Sequence, residues 1–215
     1  MAGNFLDFIY TATDAPTDTL GRYTMFGVPF SQYLRPRVDL HYNIRLNEQS
    51  SIASRISAGV GIPIGNSESL PYIKQFYVGG TNSLRSFIAR SVGPGSEVPP
   101  EGYNDVTGDI RLEANAEYRF EISGKLKGAL FADAGNIWLF KEDSTRPDGN
   151  FELDSFLDDI AVSYGWGLRW DFDFIVARLD FAYTLRTPYL PDGEEWTIGL
   201  DFWDPVLNIA IGYPF

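Results

Sequence analysis

The stretch DIRLEANAEYRFEI, from Asp109 to Ile122, alternates polar and apolar residues without a break. Since successive side chains of a β-strand point to opposite faces, this period of two predicts a strand with one charged face and one apolar face. Both signs of charge interleave along the polar face, which is typical of a crowded polar interior rather than of a solvated surface. The polar face carries seven residues: Asp109, Arg111, Glu113, Asn115, Glu117, Arg119 and Glu121.

The same alternation recurs on both sides of this stretch and predicts eight strands. They are Leu6–Tyr10, Ser31–Leu46, Ile52–Ile62, Asp109–Ile122, Lys125–Phe140, Ile160–Phe174, Ile175–Arg186 and Leu207–Phe215. Alternating segments of about ten residues are long enough to cross a bilayer at a tilt. We therefore predict an all-β fold, a transmembrane antiparallel β-barrel of eight strands in an up-and-down meander. A soluble antiparallel sandwich is the alternative.

The connections between these strands alternate in length. The long ones are 13–30, 63–106, 141–159 and 187–206; the short ones are 47–51, 123–124 and a turn near Asp173. This alternation predicts long extracellular loops and short periplasmic turns. An even strand number brings both ends of the chain to the turn side, where the first strand could pair with the last and remove the open edges.

Composition limits the classes of function. The chain has 215 residues, no cysteine and a net charge of −12, and no linker-like stretch divides it. The negative charge argues against a nucleic-acid partner. Without cysteine there is no disulfide or thiolate metal site, and we predict neither a metal nor a cofactor. The start of the chain, MAGNFLDFIY, lacks the basic and apolar regions of a signal peptide, which is therefore expected to be absent from this chain.

Acidic residues concentrate in the long segment 141–159 and in the last loop. We interpret them as solvated loop surface; a surface that binds divalent cations or lipopolysaccharide is the alternative.

The long loop 63–106 contains YVGGTNSLRSFIARSVGPG, from Tyr77 to Gly95. Its paired glycines, Gly79 and Gly80, permit backbone angles that other residues resist. Arg85 lies beside Phe87 in the middle of this stretch. From composition alone the segment could be an ordinary surface loop.

Several motifs together resemble the BamA/TamA superfamily of outer-membrane barrel proteins, in its C-terminal surface-antigen barrel region. The resemblance is closest to the TamA-like members of Bacteroidetes. The matching motifs are GG, NSLRSF and ARSVGPGS in the loop, NAEYRF (115–120), FADAGNIW (131–138) and the terminal IGYPF. Ile211, Tyr213 and Phe215 of the last motif correspond to the family's C-terminal barrel signal.

The family's central-loop motif is an aliphatic residue, Arg, Gly, and then Phe or Tyr. Here it reads Leu84, Arg85, Ser86 and Phe87, with serine in place of the usual glycine. The resemblance implies that the loop folds back into the barrel and that its arginine contacts an acidic residue on each of the next two strands. By motif match these lumen partners are Glu117 and Asp133, and the alternation also places both on the polar face.

Two further sets of residues carry structural expectations. Gly59, Gly61, Gly165 and Gly167 lie on the predicted lumen face, where another backbone could pass closely. Trp138, Trp166, Trp170 and Tyr213 are predicted to anchor the barrel at the lipid interface.

Members of this family usually carry periplasmic POTRA domains before a sixteen-stranded barrel, and this chain lacks both. We expect residues 1–215 to form a single eight-stranded barrel domain. The other interpretation is the C-terminal half of a larger sixteen-stranded barrel.

The resemblance implies a protein of the bacterial outer membrane that assembles or inserts other outer-membrane proteins, here as a minimal insertase without POTRA domains. The alternative is a structural or small-pore barrel that keeps the fold without the activity. Expected partners are outer-membrane lipids, client proteins or the barrel-assembly machinery, with a homo-oligomer as a further option. We predict no enzyme: His41 and Asp39 share a face, but no serine can be placed beside them from the sequence.

Overall fold

The computed structural model describes residues 16–99, 105–191, 193–197 and 204–215. Seven strands make up the main sheet: β4 (Arg37–Arg45), β5 (Ser50–Val60), β7 (Ile110–Ser123), β8 (Leu126–Trp138), β9 (Ala161–Asp171), β10 (Val176–Arg186) and β11 (Val206–Ile211). Two-residue strands form two small pairs: β1 (Thr24–Met25) with β2 (Val28–Pro29), and β3 (Tyr33–Leu34) with β6 (Ile62–Pro63). Single 3-10 turns lie at Tyr72–Lys74 and Pro147–Gly149. Among the described residues, no helix has the length and apolar character that a membrane span requires.

The main sheet is an antiparallel meander in the order β11-β10-β9-β8-β7-β5-β4. The all-β prediction is therefore confirmed. In the described part of the chain the sheet is open, with β4 and β11 at its edges. The predicted first strand, Leu6–Tyr10, lies outside the described residues, so barrel closure and the count of eight strands stay predictions.

Burial along the central strands is inverted relative to a water-soluble protein. On β7 the charged Glu113 and Glu117 are fully buried, whereas Tyr118, which directly follows Glu117, is exposed. β9 repeats the pattern, with Arg169 buried and Trp170 half exposed. We call the face with the buried polar side chains the inner face and the apolar face the outer face. An apolar outer face around a polar interior is the arrangement of a membrane barrel.

The last strand ends four residues earlier than the alternation predicts. It stops at Ile211 because Gly212 adopts a φ of +87°, which no regular strand has. The chain then turns toward the inner face, where the Arg119 guanidinium lies 4.2 Å from the centre of the Tyr213 ring. Arg119 also donates a hydrogen bond to the carbonyl of Phe215. The prediction that Ile211, Tyr213 and Phe215 continue one face of a strand is therefore wrong, and Tyr213 is not a lipid anchor.

The loop between β6 and β7 is a compact body with its own apolar core. Its buried residues pack together with Ile137 of β8 and Ala161 of β9. This body lies on the inner face of the sheet, and we call residues 70–98 of it the plug. The plug residues in this apolar core are Phe76, Val78, Leu84, Phe87 and Val92.

Candidate functional site

The tip of the plug is shaped by its paired glycines. Gly79 and Gly80 have φ values of +94° and +90°, and a Cβ on Gly79 would lie 2.3 Å from the carbonyl oxygen of Ile88. The amide of Gly80 donates to the carbonyl of Phe87 at 2.8 Å and closes the tip. Only residues without a side chain fit this close approach, which turns Arg85 toward the sheet.

Arg85 lies between two carboxylates of the inner face. Its Nη1 donates to Glu117 at 2.7 Å, and its Nε and Nη2 donate to the two oxygens of Asp133, both at 2.9 Å. The guanidinium carbon also lies 3.5 Å from the centre of the Phe131 ring. Arg85 is 1% exposed, and both carboxylate side chains are fully buried. A bidentate pair in such a dry site is held much more strongly than a surface ion pair.

The site extends beyond the three residues named from the sequence. Asp180 lies 3.6 Å from Arg85, and Arg169 binds both Asp180 and Glu117, the latter at 2.9 Å. Arg119 adds a third cation to Glu117, at 2.8 Å. The buried charges therefore form one connected network in which each carboxylate faces at least one guanidinium.

Three side chains from distant strands hold the plug tip by its backbone. Arg55 of β5 donates to the carbonyl of Asn82, and Arg178 of β10 donates to that of Thr81, both at 2.9 Å. Asn208 of β11 donates to the carbonyl of Arg85 at 2.9 Å. The tip is thus tied to strands at both sides of the sheet.

The remaining motif residues are also buried. Leu84 is fully buried and Phe87 is 8% exposed, and both belong to the apolar core of the plug. Ser86 stands where the family motif has glycine, and its hydroxyl accepts a hydrogen bond from Thr184 at 3.0 Å. The site therefore accommodates this side chain and gives it a partner.

A second clamp fixes the far end of the plug. Asn136 of β8 donates to the carbonyl of Gly95 at 2.7 Å and also to the carbonyl of Asp159. The amide of Ser96 donates to the carbonyl of Asp148 at 3.1 Å. The plug and the loop between β8 and β9 are therefore joined where both leave the sheet.

Trp138 belongs to this clamp and is fully buried, so its predicted role as a lipid anchor is wrong. Its ring packs edge-on against Phe151 and Phe156, and its Nε1 donates to the carboxylate of Asp159 at 2.7 Å. Burial raises the pKa of Asp159 above its ordinary value, against the opposing effect of the Trp138 hydrogen bond. Trp166 and Trp170 are exposed on the outer face.

The inner-face glycines make room for side chains of the plug at Gly59 and Gly61. At Gly165 they make room for backbone, as the sequence suggested, because a Cβ there would lie 2.2 Å from the carbonyl oxygen of Phe181 on the neighbouring strand. A Cβ on Gly59 would lie 2.7 Å from the Phe76 ring of the plug, and one on Gly61 would lie 2.2 Å from Leu70. A Cβ on Gly167 would lie 2.2 Å from the carboxylate of Asp180.

Sequence reasoning missed the roles of Arg169, Asp180, Asn136 and Asn208. The alternation already places Arg169 and Asp180 on the polar face. It does not give the strand register, which pairs Asp180 with Gly167 and brings Arg169 within reach. Asn136 and Asn208 have no charge signal that distinguishes them from other strand residues.

Comparisons with known proteins match this architecture. The family profile described as Omp85 superfamily domain matches residues 7–202. The chain is 24% identical over 148 residues to the outer membrane protein assembly factor BamA of Neisseria meningitidis, covering 60% of this chain and 18% of that protein. It is 26% identical over 172 residues to the protein of that name from Nitratidesulfovibrio vulgaris, covering 79% of this chain and 20% of that one. The chain thus spans about a fifth of the length of these curated relatives.

Among solved structures, the crystal structure of BamA from Haemophilus ducreyi lacking POTRA domains 1–3 superposes with a TM-score of 0.60 at 19% identity. The match covers 84% of this chain and 35% of that one. At this identity the likeness concerns the fold, which is that of a BamA-like barrel.

Proposed function

This chain belongs to the Omp85 superfamily, and from that premise we propose that it is an outer-membrane β-barrel protein that promotes the insertion of other outer-membrane proteins. The curated relatives are named outer membrane protein assembly factors. The observation that carries the proposal is the position of the plug on the inner face, where its Arg85 is ion-paired with both Glu117 and Asp133.

The sheet also supplies a weak edge. β11 has six residues and pairs with β10 alone among the described strands. An exposed strand edge offers unpaired backbone groups to which another extended chain can add. A short edge strand separates from its partner at lower cost than a long one, which suits a protein that must admit and release client strands.

We propose an insertase with lipids of the outer membrane and client barrel proteins as its partners. The proposal gives His41 no catalytic role, because its neighbour on the inner face, Asp39, is ion-paired with Arg37.

The second candidate is a structural barrel without insertase activity. The structure favours such a barrel over a pore. The plug is hydrogen-bonded to the inner face of β7, β8, β10 and β11, and it therefore fills the space that a water-filled pore would need.

Insertion into vesicles separates the two candidates. The purified protein, reconstituted in liposomes, should accelerate the folding of an added client barrel relative to liposomes that hold an unrelated barrel of equal size. Equal folding rates in the two liposome preparations would refute the insertase function and favour the structural role.

A further inference from the structure

The plug leaves one part of the inner face uncovered. All nine residues of β4 are exposed, on both faces of the strand. On β5 the plug covers Gly59 with Phe76 and binds Arg55 through the carbonyl of Asn82. The inner-face positions of β4, with the β5 and β7 positions that pair with them, form a surface that we call the open inner face. Its β4 side chains are exposed, whereas Glu113 and Glu117 on β7 are buried.

The strand register arranges this surface in rows. At the loop-side end, Arg37 pairs with Gly59, which pairs in turn with Arg111. At the turn-side end, the row is Arg45, Ser51 and Arg119. Both end rows therefore have two arginines flanking a small residue. Eight residues of strand separate the end rows, or roughly 26 Å at a rise of about 3.3 Å per residue.

The open inner face has more cations than anions. Its arginines are Arg37, Arg45, Arg55, Arg111 and Arg119, and its carboxylates are Asp39, Glu113 and Glu117. Glu117 is shared with Arg85 and Arg169, so it neutralises little of this surface. The chain as a whole has a net charge of −12, and the cationic surface therefore contrasts with the rest of the molecule.

Arg45 of this surface and Arg35 beside it lack an acidic partner among the described residues. Within the described residues, Arg35 and Arg45 have no carboxylate within 4.0 Å. Arg35 precedes β4 and stacks on the Phe76 ring at 3.9 Å. Arg45 donates to the carbonyl of Asn47. A guanidinium without a counter-charge is available to an incoming anion.

The turn-side row also borders a cavity of about 400 Å³. Arg45, Ser51 and Arg119 line it, together with Lys127 and Tyr213. Lys127 is paired with Asp171 at 2.9 Å. Polar groups from four strands and from the chain end thus converge on a space large enough for several side chains.

We infer that the open inner face binds an extended acidic segment of another polypeptide. Arg37, Arg111 and Arg119 of the end rows already pair with Asp39, Glu113 and Glu117, so the charge available to a ligand comes from Arg45 and from the surplus of arginines over carboxylates. End rows roughly 26 Å apart match a strand-length ligand with carboxylates along one face, and a compact anion would reach one end row alone. The inference rests on the proposed function for the source of the segment, since client barrels reach an insertase as extended chains.

Peptide binding tests the inference without any insertion step. The probes are fluorescein-labelled peptides of about ten residues, enough to cover β4 at ~3.3 Å per residue. One alternates Glu with Thr and the other alternates Gln with Thr. Fluorescence anisotropy measures their affinity for the full chain in detergent micelles, at low and high salt.

The decisive variant is the double substitution Arg37→Gln and Arg45→Gln. Its matched control is Arg22→Gln with Arg146→Gln, which removes the same charge from two loop arginines whose side chains are each 38% exposed. The Glu peptide should bind, weaken with salt and lose about tenfold in affinity with the first variant, since exposed ion pairs contribute modestly each. The control variant should bind like the wild type.

Equal affinity for the Glu and Gln peptides, or an equal loss with both double variants, overturns the inference. If heat-modifiable mobility shows that the double variant does not fold, Arg45→Gln alone replaces it and should still weaken binding. If the protein binds the Glu peptide but does not accelerate client folding in liposomes, the proposed insertase function is refuted and the proposed peptide-binding surface is supported. If the protein accelerates client folding but does not bind the Glu peptide, the peptide-binding surface is refuted and the insertase function is supported.

Discussion

Replacing Arg85 by alanine removes one hydrogen bond to Glu117 and two to Asp133, all at 2.7–2.9 Å. The two carboxylates are left with different surroundings. Glu117 keeps Arg119 and Arg169 as cationic partners. Among the described residues, Asp133 keeps hydrogen bonds from Asn115, from Ser163 and from the backbone amide of residue 85, all of which are neutral donors. The cost of the substitution therefore falls mainly on Asp133.

Breaking a buried ion pair from one side costs about 3–5 kcal/mol. At about 2–4 °C per kcal/mol for a domain of this size, the unfolding midpoint should fall by roughly 6–20 °C. Adding Asp133→Asn to Arg85→Ala removes the stranded charge and should recover about 1–3 kcal/mol of the loss. The two substitutions are therefore predicted to be strongly non-additive.

Thermal unfolding in detergent, followed by the heat-modifiable mobility of the barrel on gels, measures both effects. Arg22→Ala is the control, because Arg22 is a 38% exposed member of a surface ion pair with Asp18 and should cost less than about 1 kcal/mol. An Arg85→Ala midpoint equal to that of the wild type, or a double variant no more stable than Arg85→Ala, would refute the reasoning.

Three other changes test the clamps around this site. Gly79→Val places a side chain at a φ of +94° against backbone, so amide exchange across the plug should accelerate by a factor that corresponds to more than about 1 kcal/mol. Asn208→Ala leaves the carbonyl of Arg85 without its donor and should cost about 1–3 kcal/mol, measured by urea unfolding; unchanged stability would contradict it. The pKa of Asp159 is raised by burial, so its protonated form is favoured in the folded state. Its contribution to stability is therefore present below its ordinary pKa and lost as pH rises through the folded-state value. Amide exchange of residues 150–160 should show this loss in the wild type, and Asp159→Asn should abolish it.

The alternation in sequence predicted much of the fold because it is a local signal. It placed Glu117 and Asp133 on one face, and the structure places both against Arg85. The same signal failed at Gly212, where the pattern continues but the backbone turns. A period of two reports side-chain direction only while the strand persists.

The rest of the site depends on contacts between segments that are distant in sequence. Arg85 and Asn208 are 123 residues apart, and their contact depends on the path of the plug. Trp138 is at the end of a strand with the sequence of an interface anchor, yet a loop with no periodic signal buries it. Such contacts follow from packing, which one sequence read strand by strand does not contain.

Because the burial of the sheet is inverted, the average hydropathy of the chain does not reveal that one of its surfaces faces a membrane. The mean hydropathy of the chain is −0.15, slightly on the polar side of zero. The apolar outer positions and the polar inner positions cancel in any average, so bulk composition conceals a membrane-facing surface. The order of residues holds the information instead: exchanging each neighbour along β7 would keep every average and turn the carboxylates that bind Arg85 out of the interior.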